Sequence, residues 1–190
     1  MIWGDKKLKR VIYKAGRIEH GREELINPAS INLRLGNTFA VPLQMMEGIR
    51  LGDHVKYNHH SVNDGDYFPL KPGQFCLGTT KEYIYVPDNA AAFVQGRSSI
   101  GRIGLTVQNA GFVDPGFFGA ITLELVNESP STIYLVPGYP LVQLVFFDCT
   151  RVKNPYDGKY NGQVRATGSR MNQDKNKYSD LGLKFDSGRV

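Results

Sequence analysis

Between Ile31 and Cys149 the chain is broken repeatedly by turn-forming residues: Gly36-Asn37, Lys71-Pro72-Gly73, Pro87-Asp88-Asn89, Asp114-Pro115-Gly116 and Pro137-Gly138. The runs left between them are short, and several alternate apolar with polar side chains, which is the pattern of half-buried strands. Ile31, Leu33 and Leu35 alternate with Asn32 and Arg34. Further strands are expected at Thr38–Val41, Gln74–Thr79, Tyr83–Val86, Ala91–Gln95, Ala120–Asn127, Thr132–Leu135 and Leu141–Cys149. Near the start, Leu8, Val11, Ile12 and Ala15 fall close to a 3.6-residue period, so residues 5–20 are expected to hold a helix with Gly16 as a stop. Residues 42–68 are expected to be an irregular, polar surface excursion. Many short strands and one or two helices predict a mainly β fold, a distorted β-barrel or double-sheet jelly roll.

A length of 190 residues suits one domain with a substantial core. Residues 1–171 are expected to form it, and 172–190 a polar, mobile tail relieved only by Leu181–Leu183. No apolar run is long enough to cross a bilayer and no signal-peptide pattern is present. Cys76 and Cys149 do not make a disulfide framework and are expected as reduced thiols. A cytoplasmic location without membrane contact fits. Lys and Arg outnumber Asp and Glu 7 to 2 over residues 1–22 and 9 to 4 over 151–190, while 23–150 carries 7 against 12. Basic ends suit a terminal segment folding over a phosphate-bearing ligand, and equally a solvated tail. The basic residues are scattered without an aromatic repeat, which gives no nucleic-acid surface.

Three clusters could carry chemistry. On the Ala120–Val126 strand, period two puts Ile121, Leu123 and Leu125 on one face and Thr122, Glu124 and Val126 on the other. Such a glutamate either lies on a solvated face or is a partly desolvated carboxylate able to move protons near neutral pH. Arg97-Ser98-Ser99-Ile100-Gly101-Arg102 reads as a short helical turn, with Ser98 and Arg102 sharing a face four residues apart. Its hydroxyls and cations suit phosphate oxygens, although a capped helix with exposed arginines has the same pattern. Tyr156, Lys159, Tyr160 and Gln163 lie in a glycine-containing stretch that could close over a nucleotide or remain a surface tail. The chain lacks H-x-E with P-C-x-x-C, so the zinc-activated water of familiar base deaminases has no ligands here. His59-His60 with Asp64 and Asp66 matches no strong metal template.

Four ordered segments resemble the dCTP deaminase family of the dUTPase-like superfamily: INPASINLRLG, GRSSIGRIGL, AGFVDPGFFGAITLELVN, and YDGKYNGQ with Gly168-Ser169-Arg170. The resemblance implies a dUTPase-type barrel with a short N-terminal and a short internal helix, assembled as a homotrimer with active sites between subunits. It implies hydrolytic deamination of dCTP to dUTP and ammonia without zinc, with Mg2+ bound through the triphosphate. AGFVDPGF is closer to the bifunctional members, which continue to dUMP and pyrophosphate. By the resemblance Glu124 is the general acid–base, with Ser98 and Arg102 around the attacking water. Arg97, Ser99, Tyr156, Lys159 and Gln163 meet the triphosphate, Ile100 and Gly101 are further nucleotide-binding residues, and Asp114 meets the sugar 3′-hydroxyl. Thr122, Leu123, Gln143 and Ala110 line the nucleotide pocket. Gln108-Asn109 depart from the family's usual histidine and threonine in a loop tied to feedback by dTTP. A dUTPase without deaminase activity and a non-catalytic nucleotide-binding regulator are the alternatives. The first would carry a tail phenylalanine, which VRATGSR lacks, and neither needs Glu124.

Overall fold

The computed structural model describes residues 1–46, 48–108 and 111–174. It opens with α1 (Asp5–Leu8), a π-helical turn (Lys9–Tyr13), β1 (Ile18–Glu19) and a 3-10 turn (Glu23–Leu25). Strands β2 (Ile26–Asn27), β3 (Ser30–Arg34), β4 (Thr38–Pro42), β5 (Tyr57–Ser61), β6 (Phe68–Leu70), β7 (Phe75–Tyr85) and β8 (Ala90–Gly96) lead to α2 (Ser98–Gly101). After it come β9 (Leu105–Gln108), β10 (Phe112–Val113), β11 (Phe118–Asn127), β12 (Ile133–Leu135), β13 (Pro140–Asp148) and a 3-10 turn at Met171–Asp174.

One sheet has the order β5-β4-β7-β11-β9, with β1 added on β7; the second runs β10-β8-β13-β3-β2, and β12 pairs with β6. Period two decides which side chains point inward. On β11, Ile121, Leu123 and Leu125 are buried, whereas Thr122, Glu124 and Val126 are half-buried. They share one hydrophobic cluster with Ile31 and Leu33 of β3, Val94 of β8, and Val142, Leu144 and Phe146 of β13. The two large sheets therefore meet over a common core and do not close into a single barrel, the double-sheet form of the expected mainly β architecture. Each such apolar side chain contributes about 1.5–3 kcal/mol by leaving water. Trp3 extends the core, stacking on Phe146 at 5.3 Å while its indole N–H donates to Asp148 Oδ1 at 2.9 Å.

Three local expectations change. The N-terminal helix is shorter than 5–20: Gly16 takes φ +66 and ends it, and Ile18–Glu19 joins the sheet. The candidates Gln74–Thr79 and Tyr83–Val86 are one strand, β7, because Thr80 and Glu82 between them have internal partners while Lys81 faces solvent. Thr80 donates to Glu82 O at 2.8 Å and accepts from Ile121 N at 2.8 Å, satisfying the amide that the β11 register shift near Ile121 leaves over. Fully buried Glu82 accepts from the backbone N and Nε of Arg34, both at 2.7 Å. Removing either partner would strand a buried charge, at a cost of about 3–5 kcal/mol. Finally, residues 42–68 are not all irregular. Tyr57–Ser61 pairs with β4 from Pro42↔Tyr57 to Thr38↔Ser61. It is an edge strand with mostly exposed side chains, so no apolar alternation announces it. Ala110 and residues 175–190, including Leu181–Leu183, lie outside the described residues.

Candidate active site

Strand register brings the site together. Glu124 on β11 lies opposite Leu77 on β7 and Gln108 on β9, and Leu77 lies opposite Ala40 on β4. Directly opposed residues share a face, so Glu124 stands on the outward side of the first sheet with Gln108, Leu77 and Ala40. A cleft of about 530 Å3 opens there, lined by Tyr57, Gln108, Asp114, Thr122 and Glu124, with an apolar end at Val94, Phe117 and Ile121.

The residues after β13 form a strap across this face. Its start is held by the Asp-Pro-Gly turn: Tyr156 N donates to Pro115 O at 2.8 Å. Gly116 has φ +90, and a Cβ there would come within 2.5 Å of Pro155 Cβ, so only glycine fits. Further on, Gly162 N donates to Phe118 O at 2.7 Å and Ala120 N donates to Gln163 O at 2.9 Å. Gly119 permits this approach, since an added Cβ would lie 2.8 Å from Gln163 O. The Thr122 hydroxyl donates to Gln163 Oε1 at 3.3 Å and accepts from Thr167 N at 3.2 Å. Ala166, 1% exposed, packs on Ala40 and Leu77 with Tyr57 and Phe75 beside it. The strap thus roofs the cleft and removes part of Glu124 from water.

That loss of solvent sets the site's electrostatics. Burial pushes the Glu124 carboxyl above its ordinary range, opposed by a weaker backbone hydrogen bond. A carboxyl of this kind can accept a proton and return it with less bias than one in water. Cys76 is different: burial drives its thiol up to about 12, leaving it unreactive. Among the described residues no group of three or more His, Cys, Asp or Glu is placed to hold a metal, and His59 and His60 lie exposed on β5.

Of the sequence candidates, Asp114, Thr122, Leu123, Glu124, Tyr156 and Gln163 line the cleft. The Arg97–Arg102 set does not. Ser98, Ser99, Gly101 and Arg102 are exposed on and after α2, while Ile100 is buried. Arg102 N donates to Ser98 O at 3.0 Å, which puts these two one turn apart as expected, and Arg97 Nη1 donates to Pro140 O at 2.9 Å. Gln143 also lies away from the cleft, between Asn32 and Gln95 in the second sheet. Lys159 is ion-paired with Asp174 and flanks Tyr160, 5.6 Å from its ring centroid. Tyr57 in the cleft, and Asp174 as the partner of Lys159 outside its lining, are additions that sequence reasoning did not supply. The only local hint of Tyr57 was an aromatic residue in an otherwise polar run.

Among the described residues no helix is long and apolar enough to cross a membrane. The fold is shared with a solved dCTP deaminase from Agrobacterium tumefaciens, at a TM-score of 0.59 and 21% identity, over 76% of this chain and 47% of that one. This chain therefore spans about half the length of that protein. Residues 2–149 match the model of the family described as dCTP deaminase-like. Curated relatives agree. A Persephonella marina protein described as "dCTP deaminase, dUMP-forming" is 41% identical over 179 residues, 92% of this chain and 99% of its own length. An Aquifex aeolicus protein of the same description is 41% identical over 180 residues, 92% of this chain and 97% of its own. The chain belongs to the dCTP deaminase-like family.

Proposed function

We propose that the protein hydrolyses dCTP to dUTP and ammonia and carries the product on to dUMP and pyrophosphate. The observation that carries this is Glu124: a roofed carboxyl of raised proton affinity in a cleft, in a chain whose relatives are described as dUMP-forming dCTP deaminases. Water adds to C4 of the cytosine ring as Glu124 takes the water's proton and passes it to N3. The tetrahedral carbon then collapses: Glu124 takes the proton of the new C4 hydroxyl and hands it to the amino nitrogen, the C4–N4 bond breaks, ammonia leaves and the C4 carbonyl forms. General acid–base work of this kind contributes about 10^2–10^4-fold in rate. A second water cleaves the α–β phosphoanhydride of dUTP. Mg2+ enters with the triphosphate as part of the substrate.

Asp114 receives the sugar 3′-hydroxyl, Thr122 and Leu123 the nucleotide, and Tyr156, Lys159 and Gln163 the phosphates. Arg97, Ser98, Ser99, Ile100, Gly101 and Arg102 complete the site from a second copy of the chain. Two observations support that assembly. The α2 turn carries exposed hydroxyls and cations outside the protomer's own cleft. The outward face of the second sheet exposes Phe93 and Phe112, which contact each other edge-on at 5.2 Å with Phe147 beside them. Residues 1–171 act as one domain, supported by a core running from Trp3 to Phe146 and by the docked strap.

The test is a product assay with magnesium on dCTP and dUTP side by side. Ammonia with dUMP and pyrophosphate from dCTP supports the proposal. Accumulation of dUTP limits it to the first step, and no deamination at micromolar enzyme rejects it.

A further inference from the structure

The strap crosses the first sheet strand by strand. Gln163 pairs at β11, the Tyr83 hydroxyl on β7 donates to Val164 O at 3.2 Å, and Ala166 N donates to Thr38 Oγ1 on β4 at 3.0 Å. The last post is Tyr57 on edge strand β5. Its hydroxyl accepts from Ser169 N at 3.2 Å, and its ring lies so close to Gly168 that an added Cβ would approach Cε2 to 2.4 Å and Cδ2 to 2.6 Å. Gly168 thus packs tightly against an aromatic ring that also borders the cleft. Two residues beyond Gly168 stands a cation, Arg170. Its backbone N donates to the Tyr160 hydroxyl at 3.0 Å, and its guanidinium donates to Lys159 O. Losing the seat at Tyr57 frees the end of the strap that carries Arg170 and supports Lys159.

We infer that Tyr57 is a positioning residue: its ring seats Gly168 and its hydroxyl fastens Ser169, so that the strap roofs the cleft with Lys159 and Arg170 held at its rim. Tyr57 performs no proton transfer. The ring is the larger contribution, because the hydroxyl makes a single neutral hydrogen bond to backbone, whereas the ring defines the surface on which the glycine rests. The kinetic consequence rests on the proposed reaction; the seating itself does not.

The experiment uses the full chain and the variants Tyr57→Ala, Tyr57→Phe and Gly168→Ala. Gly168→Ala blocks the seat from the strap side and leaves β5 and the core untouched, so it serves even if Tyr57→Ala folds poorly. Amide hydrogen exchange of a peptide covering residues 162–170, measured without nucleotide, should be slow in the parent and in Tyr57→Phe, and about tenfold faster or more in Tyr57→Ala and Gly168→Ala. With magnesium and dCTP, both of these should raise KM about tenfold with kcat within about threefold, whereas Tyr57→Phe should recover KM to within about threefold of the parent. Parent-like exchange in Tyr57→Ala and Gly168→Ala overturns the inference whatever the kinetics, and so does an unchanged KM in an active enzyme. If the parent fails to deaminate dCTP, the proposed function falls, and the exchange measurement alone decides the seat.

Discussion

The two polar clusters proposed to carry this molecule's chemistry are built in opposite ways. Around Glu124 everything converges within one chain: β11 supplies the acid, the Asp-Pro-Gly turn anchors the strap, and Thr122 and Tyr57 fasten it over the cleft. Around Arg97–Arg102 little converges: Arg97 is tied to Pro140 O, and most of the turn faces solvent. A four-residue helix presents Ser98 and Arg102 to solvent, its one inward side chain being Ile100. The acid is half-buried, and the water displaced from it raises its proton affinity. Ser98, Ser99 and Arg102 stand exposed, outside the protomer's own cleft. A half-site complete in one chain beside one left open is the form expected where neighbouring copies share a site.

The contrast breaks most sharply at the acid. Glu124→Gln keeps the shape of the cleft and removes the proton shuttle, so kcat for dCTP should fall about 10^2–10^4-fold while nucleotide binding, followed by calorimetry, persists. A parent-like rate would end the proposed mechanism.

Mixing tests the division of labour. Glu124→Gln and Arg102→Ala should each be nearly inactive alone. If each site draws its acid and its arginine from different copies, randomly reassorted oligomers should recover about a quarter of the parental activity. No recovery after subunit exchange, verified by native mass spectrometry, would place both groups in one protomer.

A smaller effect concerns Lys159, whose ammonium is held by Asp174 before any nucleotide arrives. Asp174→Asn should free it and lower KM for the triphosphate about two- to threefold at low salt, an advantage that fades at about 0.5 M salt. An unchanged KM at every ionic strength would show that the pair does not compete with phosphate.

Smallest is the stability of the enclosed carboxyl. Burial raises its proton affinity in the folded chain above that in the unfolded chain. Its favourable contribution is complete below the unfolded carboxylate range and is lost as pH rises through the raised value. Glu124→Gln, neutral throughout, should therefore melt about 1–2 °C above the parent at neutral pH, with the gap closing near pH 4. The same displacement should make the acidic limb of kcat/KM fall at a pH above that of an ordinary carboxylate. A thermal melt series and a pH–rate profile check both.

Particular residues show why some of this was legible from one dimension and some was not. The outward placement of Glu124 and Thr122 followed from alternation with Ile121, Leu123 and Leu125, a relation among adjacent residues. The α2 turn and the Asp-Pro-Gly turn were likewise local. Strand β5 was missed because an edge strand buries little and its polar side chains carry no alternating signal. The merging of two expected strands into β7 depended on Thr80 and Glu82 finding partners at Ile121 and Arg34, dozens of residues away. Tyr57 entered the site only because β4 and β5 align, and Asp174 met Lys159 only through the fold of the strap.

By itself the sequence determined a strand-rich chain, the positions of its turns, the face on which its acid would stand, and the short helix carrying its cations. These depend on backbone preference and side-chain period, which consecutive residues express directly. Only the tertiary structure decided that the sheets meet without closing, that a strap roofs Glu124, and that Tyr57 and Gly168 fit together. Those depend on register and close approach between distant segments, which burial of the shared core selects and no local pattern records.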